Sequence, residues 1–276
     1  MSNKLTKFER NPPMWSDSDS SSSSSSSEPE PESLLKKITE EETETRISFP
    51  LTSFDNTIQN VSAISFMMGN LMALNILCLL THQFHHYYKL NLYCLVLIVF
   101  HFFEFMVTAI WNHSRVTVNS FLLNNGIEYW LAHLFSITEY LIMQTIYHKR
   151  SSNLLDIFSI TIIILCQLIR TLSMITAAQS FNHKVSTSKT PDKDHTLITN
   201  GIYNYLRHPS YFGFFYWSIG LQIYFRNWCS FFLFFGVLWN FFNKRIQNEE
   251  MHLIKFFGKD YLDYKSRTGI YIPFIR

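Results

Sequence analysis

Beyond residue 61 the sequence is a succession of apolar runs, most of them about 18–25 residues long, separated by short polar segments. That is the length an α-helix needs to cross the hydrocarbon core of a bilayer. Lipid offers no water to the backbone, so every N–H and C=O in such a run must be satisfied within a helix. Six spans are predicted, at roughly 62–80, 91–111, 127–147, 154–178, 210–225 and 229–242. The last two are short and joined by Arg226-Asn227-Trp228, which predicts a tight helical hairpin. The final helix is expected to continue past residue 242 as an amphipathic extension. The fold class is therefore all-α, a polytopic membrane helical bundle.

The mean hydropathy is near zero, but it averages two dissimilar halves. Residues 1–61 carry 11 Asp/Glu and the run Ser20–Ser27. The segment around 16–32 buries too little apolar surface to offset chain entropy and is expected to be a disordered, solvated tail. Residues 62–276 form the membrane domain. Its four cysteines, Cys78, Cys94, Cys166 and Cys229, lie in apolar segments without close pairing, which reads as packing rather than a disulfide framework. His82, His85 and His86 have metal-like spacing but lack a complete ligand set, so no metal site is expected. No glycine-rich nucleotide fingerprint occurs, and no nucleic-acid partner is expected.

An even number of spans places both flanking segments on one side. That side holds six Lys/Arg before residue 62, one in 112–126, four in 179–209 and seven after 242, against four on the other side. Basic residues favour the cytoplasmic side, which predicts cytoplasmic termini, although His148-Lys149-Arg150 argues mildly the other way. The sequon Asn112-His113-Ser114 would then face the cytoplasm and stay unmodified.

Two polar clusters stand out against the apolar background. One is Gly201 to Gly213, containing Arg207-His208-Pro209-Ser210-Tyr211; the other is Arg245 to Glu250. Gly201 can supply a positive φ, and Pro209 keeps His208 out of helical geometry. A shaped loop ending at a helix N-terminus is expected there, with N–H groups that favour anions. Arg245 and Glu249 are four apart and share a helix face. Within the spans, Glu104, Glu128 and Glu139 read as interhelical pairing residues. Arg170 stands two turns before a polar exit, where a guanidinium can meet an anionic group. Tyr203, Tyr205 and Tyr211 are placed to flank a cation.

These residues resemble the isoprenylcysteine carboxyl methyltransferase family over about 62–276. The resemblance is carried by Ser120-Phe121-Leu122-Leu123-Asn124, Glu128-Tyr129, Arg170, Phe181-Asn182-His183 and His195-Thr196-Leu197-Ile198. It continues through Gly201-Ile202-Tyr203, Arg207 to Gly213, Arg245 to Glu250, Phe256-Phe257-Gly258, Tyr261, Tyr264 and Ile272-Pro273-Phe274. The Arg-His-Pro and Glu-Glu pieces are shared more widely, including by phospholipid methyltransferases and some sterol reductases. The resemblance implies an enzyme of the endoplasmic reticulum membrane with its active site facing the cytoplasm. It implies methyl transfer from S-adenosylmethionine to the C-terminal carboxylate of farnesylated or geranylgeranylated proteins of the small GTPase type, the prenyl tail arriving from membrane lipid.

The resemblance also implies cofactor contacts at His195, Thr196, Leu197, Ile198, Tyr203, His208, Pro209, Ser210, Tyr211 and Glu249, substrate contact at Arg245, and Arg170 beside the substrate's path. A family glutamine aligns near Ser186, and the two further N-terminal spans usual in eukaryotic relatives have no counterpart before residue 62. The alternatives are a phospholipid methyltransferase acting on an amine headgroup and a non-catalytic membrane scaffold.

Overall fold

The computed structural model describes residues 55–81, 87–147, 153–181 and 196–275. These fall in one compact unit, Phe49–Arg276. Among the described residues there are seven α-helices: α1 (Ile58–Leu80), α2 (Tyr88–Trp111), α3 (Ile127–Tyr147), α4 (Asn153–Ala177), α5 (Pro209–Phe225), α6 (Trp228–Phe257) and α7 (Lys259–Arg267). They contain no β-strand, only a single parallel bridge between Leu206 and Gly269. The acidic, Ser-rich part of the 1–61 segment lies outside the described residues. Its last residues belong to α1, whose N-terminus is capped at Thr57, where the hydroxyl accepts from Asn60 N at 3.2 Å.

By length and composition α1, α2 and α4 are apolar enough to cross a membrane. The remaining predicted spans differ for physical reasons. At 17 residues α5 is about 26 Å long, short of a full hydrocarbon core. The helix starting at Trp228 runs unbroken to Phe257, so its second half is the expected polar extension. The surface is apolar where a soluble protein would be polar: Phe66 and Leu77 on α1, Leu134 on α3, Ile164 and Leu168 on α4 and Phe232 on α6 are all exposed. The interior instead buries His101, Glu104, His133, Glu139, Arg170 and Gln222. Lipid-facing surface and a partly polar interior are what a membrane bundle requires.

The predicted hairpin is present. Arg226 takes a left-handed conformation (φ 59°) at the end of α5, and Asn227 anchors the turn by donating to Ser136 O of α3 at 2.6 Å. Two glycines bring α5 close to α4. A Cβ on Gly213 would lie 2.8 Å from Cys166 O, and one on Gly220 would lie 3.0 Å from Ile163. Larger residues there would force the helices apart. The resulting core stacks Tyr93, Phe225 and Tyr140 in succession, with ring centroids 4.3 Å apart in both steps.

Charges mark the two ends of the bundle. At one end Lys89 of α2 and Arg226 both bind Asp156 of α4, at 2.5 and 3.1 Å. Glu139 lies toward the same end and caps α6, accepting from Cys229 N, Ser230 N and Ser230 Oγ. At the other end Asn112, after α2, donates to Phe181 O, after α4, at 2.8 Å. The pairing role expected of the glutamates holds for Glu104 and Glu139. Glu128 departs from it: it is exposed in the first turn of α3, outside the packed interior. The sequon asparagine, Asn112, is buried, so its failure to be glycosylated would follow from packing on either side of the membrane. His82, His85, His86 and His148 to Arg150 lie outside the described residues.

Candidate functional site

The second polar end collects the C-terminal turns of α4, the segment 196–208, the start of α5, the latter half of α6 and α7. Gly201 has the expected positive φ, 57°, and begins a 3-10 turn through Asn204. The turn is fixed to α4 by Tyr203, whose hydroxyl donates to Ser173 O at 3.3 Å, and to α7 by Tyr264, which donates to Tyr203 O at 2.7 Å. Pro209 occupies the first turn of α5. The N–H groups of Tyr211 and Phe212 both donate to His208 O. The anion partner expected for this helix start is therefore replaced, at those two groups, by the chain's own carbonyl.

Tyr211 is the centre of the site. Its hydroxyl donates to Glu249 Oε2 at 2.5 Å and accepts from Arg245 Nε at 2.9 Å. Its ring stacks on His208, with centroids 5.4 Å apart and planes 4° from parallel. The Arg245 guanidinium lies over the Tyr211 and Phe241 rings at 5.3 and 5.8 Å, so the cation that Tyr211 flanks is supplied by the protein. Arg245, Glu249 and Tyr211 are all half-buried. This leaves a guanidinium and a carboxylate side by side at the edge of the bundle.

Behind this face lies an ionic layer in which Arg207, His208 and Glu250 are buried and Lys265 is half-buried. Glu250 Oε1 accepts from Arg207 Nε at 2.9 Å and lies 3.2 Å from His208 Nε2, while Oε2 accepts from Lys265 at 2.5 Å. Burial pushes the Glu250 carboxyl up, but the hydrogen bonds from His208, Lys265 and Arg207 outweigh it and hold the group at about 2. Arg207 also donates to Thr268 O and, at 3.3 Å, to Lys265 O. Its backbone N–H donates to Gly269 O at 2.9 Å. Arg207 thus ties the loop to α7 rather than presenting itself to a ligand.

Arg170 has a similar interior fate. It is buried, and its Nε and Nη2 donate to the two carboxylate oxygens of Glu104 on α2, at 2.5 and 2.8 Å. Nη1 donates to Ser210 Oγ and O at 3.0 and 3.2 Å. The anionic group expected near Arg170 is the protein's own Glu104, because an unpaired guanidinium inside the bundle costs more than the pair. Arg170 and Ser210 therefore form one unit that fixes the start of α5.

The structure brings together Tyr203, His208, Pro209, Ser210, Tyr211, Arg245 and Glu249. The side chains of His208, Pro209 and Ser210 are buried and form the wall behind Tyr211. Leu197 and Ile198 are half-buried in a segment without regular secondary structure, and Thr196 is exposed. His195, Ser186, Asn182 and His183 lie outside the described residues. Sequence reasoning assigned no role to Glu250, Lys265 or Thr268, and did not name Arg170 as the partner of Glu104. One signal was available for Glu250. Adjacent residues on a helix point about 100° apart, so Glu249 and Glu250 must serve different neighbours, and Arg207-His208 needed a buried counter-ion.

Fold and site define a helical membrane protein with a half-buried cluster of charged and aromatic residues at one end of its bundle. Residues 159–255 match the isoprenylcysteine carboxyl methyltransferase (ICMT) family. The protein-S-isoprenylcysteine O-methyltransferase of Saccharomyces cerevisiae is 38% identical over 227 residues, covering 80% of this chain and 93% of that protein. Its counterpart in Schizosaccharomyces pombe is 40% identical over 202 residues, 68% of this chain and 85% of that one. The Homo sapiens enzyme is 37% identical over 185 residues, 67% and 64% of the two chains. Among solved structures, the eukaryotic intramembrane Ras methyltransferase ICMT, without a monobody, superimposes with a TM-score of 0.74 at 30% identity, covering 88% of this chain and 86% of that one. The chain belongs to the isoprenylcysteine carboxyl methyltransferase family.

Proposed function

We propose that this protein transfers a methyl group to the C-terminal carboxylate of an S-prenylated cysteine, forming a methyl ester. The observation that carries the reading is the Arg245–Tyr211–Glu249 arrangement, a cation and an anion held one turn apart at the polar end of a membrane bundle. The residues fit S-adenosylmethionine as donor. Its amino-acid end pairs an ammonium with a carboxylate, and a half-buried Glu249 carboxylate beside aromatic Tyr211 suits the cationic part. When bound, that cofactor supplies an electrophilic methyl on a sulfonium. Thr196, Leu197, Ile198 and Tyr203 supply the flanking wall in this reading.

The residues of the chain supply positioning rather than proton transfer. A prenylcysteine carboxylate is ionised at neutral pH, so no general base is required. Arg245 holds the acceptor carboxylate and Glu249 orients the donor's polar end. Tyr211 fixes both by its single hydroxyl, and the bundle excludes water; placement of this kind supplies roughly 7–11 kcal/mol. Arg170 acts here as a positioning residue through Ser210. The six-span arrangement, an endoplasmic reticulum location, cytoplasmic exposure of the site and farnesylated or geranylgeranylated protein partners belong to the same proposal. So does a solvated tail before α1.

The test is methylation of a farnesylcysteine analogue by purified protein, alongside phospholipid-amine acceptors. Prenylcysteine alone is expected to be methylated, and Arg245→Ala and Glu249→Ala to lose most activity while melting like the parent. Equal turnover of lipid amines, or near-full activity in both variants, overturns the assignment.

A further inference from the structure

Beyond α7 the segment 268–275 turns back onto the bundle. Ile270, Ile272 and Ile275 are buried against Phe215, Phe242 and Ile246, while Tyr271 and Phe274 between them are 66% and 85% exposed. Both exposed aromatics have a positive φ, 57° and 62°, a left-handed conformation that a bulky side chain adopts only where its surroundings impose it. Burial of the three isoleucines imposes it here and turns the two rings outward. Tyr271 is held further by Gly269, where an added Cβ would lie 2.5 Å from its ring.

The depth of the segment decides what those rings meet. The Tyr216 hydroxyl, from the middle of α5, donates to Tyr271 O at 2.9 Å, and Trp239 Nε1 of α6 donates to Pro273 O at 2.9 Å. Trp239 lies six residues, about 9 Å, along α6 from Arg245 toward the far end of the bundle. That is inside the apolar half of the helix. Ile275 N donates to Ile272 O at 3.2 Å. Three successive carbonyls are thus satisfied by the protein itself, as backbone beside lipid requires. Tyr216, Trp239 and Tyr271 are also residue types that favour the boundary between headgroups and hydrocarbon. On α6, Trp228, Phe232, Phe235 and Trp239 are spaced four, three and four residues apart, which puts them on one face. Trp228 and Phe232 are exposed, so the turn at Pro273 caps the end of a lipid-facing stripe. Acyl chains already cover that stripe, whereas a water-soluble partner would have to displace them.

We propose that Tyr271 and Phe274 anchor this segment in the leaflet on the side of the candidate site, Phe274 among acyl chains and Tyr271 at the headgroup boundary. The anchor is joined to the site. Gly269 O accepts from Arg207 N at 2.9 Å, and Thr268 O accepts from the Arg207 guanidinium. Lipid contact at Phe274 therefore holds the loop 201–208 against the bilayer surface, whatever reaction the site performs.

The test uses the full chain in nanodiscs of dioleoyl phosphatidylcholine. A photoreactive p-benzoylphenylalanine in place of Phe274 is expected to form adducts with the mass of that lipid. The same group in place of Lys255, exposed in the last turn of α6, is expected to form few or none. Equal lipid adducts at the two positions, or cross-links from position 274 to a second copy of the chain instead, overturn the proposal. Hydrogen–deuterium exchange of Phe274→Asp and Phe274→Leu tests the link to the site, since neither change at so exposed a position disturbs the core. Lipid rejects a carboxylate, so Phe274→Asp is expected to speed exchange in 201–208 about fivefold. Exchange in α2 and α4 should stay unchanged, and Phe274→Leu should match the parent. Equal exchange of 201–208 in all three proteins overturns the link between anchor and loop.

Discussion

Arg245 and Glu249, one turn apart on α6, are joined through a residue of another helix: the hydroxyl of Tyr211 accepts from the first at 2.9 Å and donates to the second at 2.5 Å. The registry between α5 and α6 is therefore read out at a single oxygen atom. Removing that oxygen while keeping the ring tests the relationship. Tyr211→Phe retains the stack on His208 and loses two charge-assisted hydrogen bonds. One such bond is worth about 1.5–3 kcal/mol, so kcat/KM for a farnesylcysteine analogue is expected to fall roughly ten- to a hundredfold. Unchanged kinetics would show that the two charges are held in place by packing alone.

The Glu104–Arg170 pair allows positioning to be separated from direct participation. Glu104→Leu leaves Arg170 buried and uncompensated, and is expected to destabilise the protein by about 3–5 kcal/mol. The double variant Glu104→Leu with Arg170→Met removes both charges and is expected to restore the melting temperature substantially. It also removes the donor to Ser210, so the start of α5 should tilt and KM rise, with a smaller effect on kcat. A stable double variant with no detectable turnover would instead place Arg170 in contact with the acceptor.

Glu250 carries the pH dependence. Its folded-state value of about 2 lies below its ordinary 4.5. A depressed carboxyl contributes stability that is fully present above 4.5 and is lost as pH falls toward 2. The full contribution is about 3 kcal/mol. Glu250→Gln is expected to melt lower than the parent at pH 7, and the gap between them should narrow steadily between pH 4.5 and 2. A constant gap across that range would mean that the Arg207–His208–Lys265 layer gains nothing from the ionised carboxylate.

Gly213 sets the approach of α5 to α4, since an added Cβ would lie 2.8 Å from Cys166 O and 3.0 Å from Arg170 N. Gly213→Val overpacks this contact and is expected to cost about 1–3 kcal/mol. Because it pushes on Arg170 and hence on Ser210, activity should fall further than the melting shift alone explains. Gly236, where an added Cβ meets nothing within 4 Å, is the control: Gly236→Ala should leave activity unchanged and not lower the melting temperature, since alanine favours a helix interior over glycine.

Much of this molecule is written locally and was legible for that reason. The apolar runs locate helices within a few residues, Pro209 and Gly201 mark a real helix start and a real left-handed turn, and the spacing of Arg245 and Glu249 puts them on one face. The number of membrane-crossing helices was less legible, because α5 is short and α6 changes from apolar to polar without a break in its backbone. Partners distant in sequence were least legible. Glu104 and Arg170 are 66 residues apart, and nothing in either segment names the other. For the same reason the bond that Ser210 Oγ accepts from Arg170 was not legible. The sequence shows that a buried charge needs a partner, but only the packing of α2 against α4 and α5 shows which one.

The contacts from Arg207 to the segment after α7 bear on when activity can first exist. Arg207 is held by Thr268, 61 residues further along, and by Gly269. At about 5–20 residues per second of synthesis, the loop before α5 waits roughly 3–12 s for the segment that closes it. All seven α-helices have been made by then. The contacts that hold Arg207 can thus form only after every helix of the bundle has been synthesised.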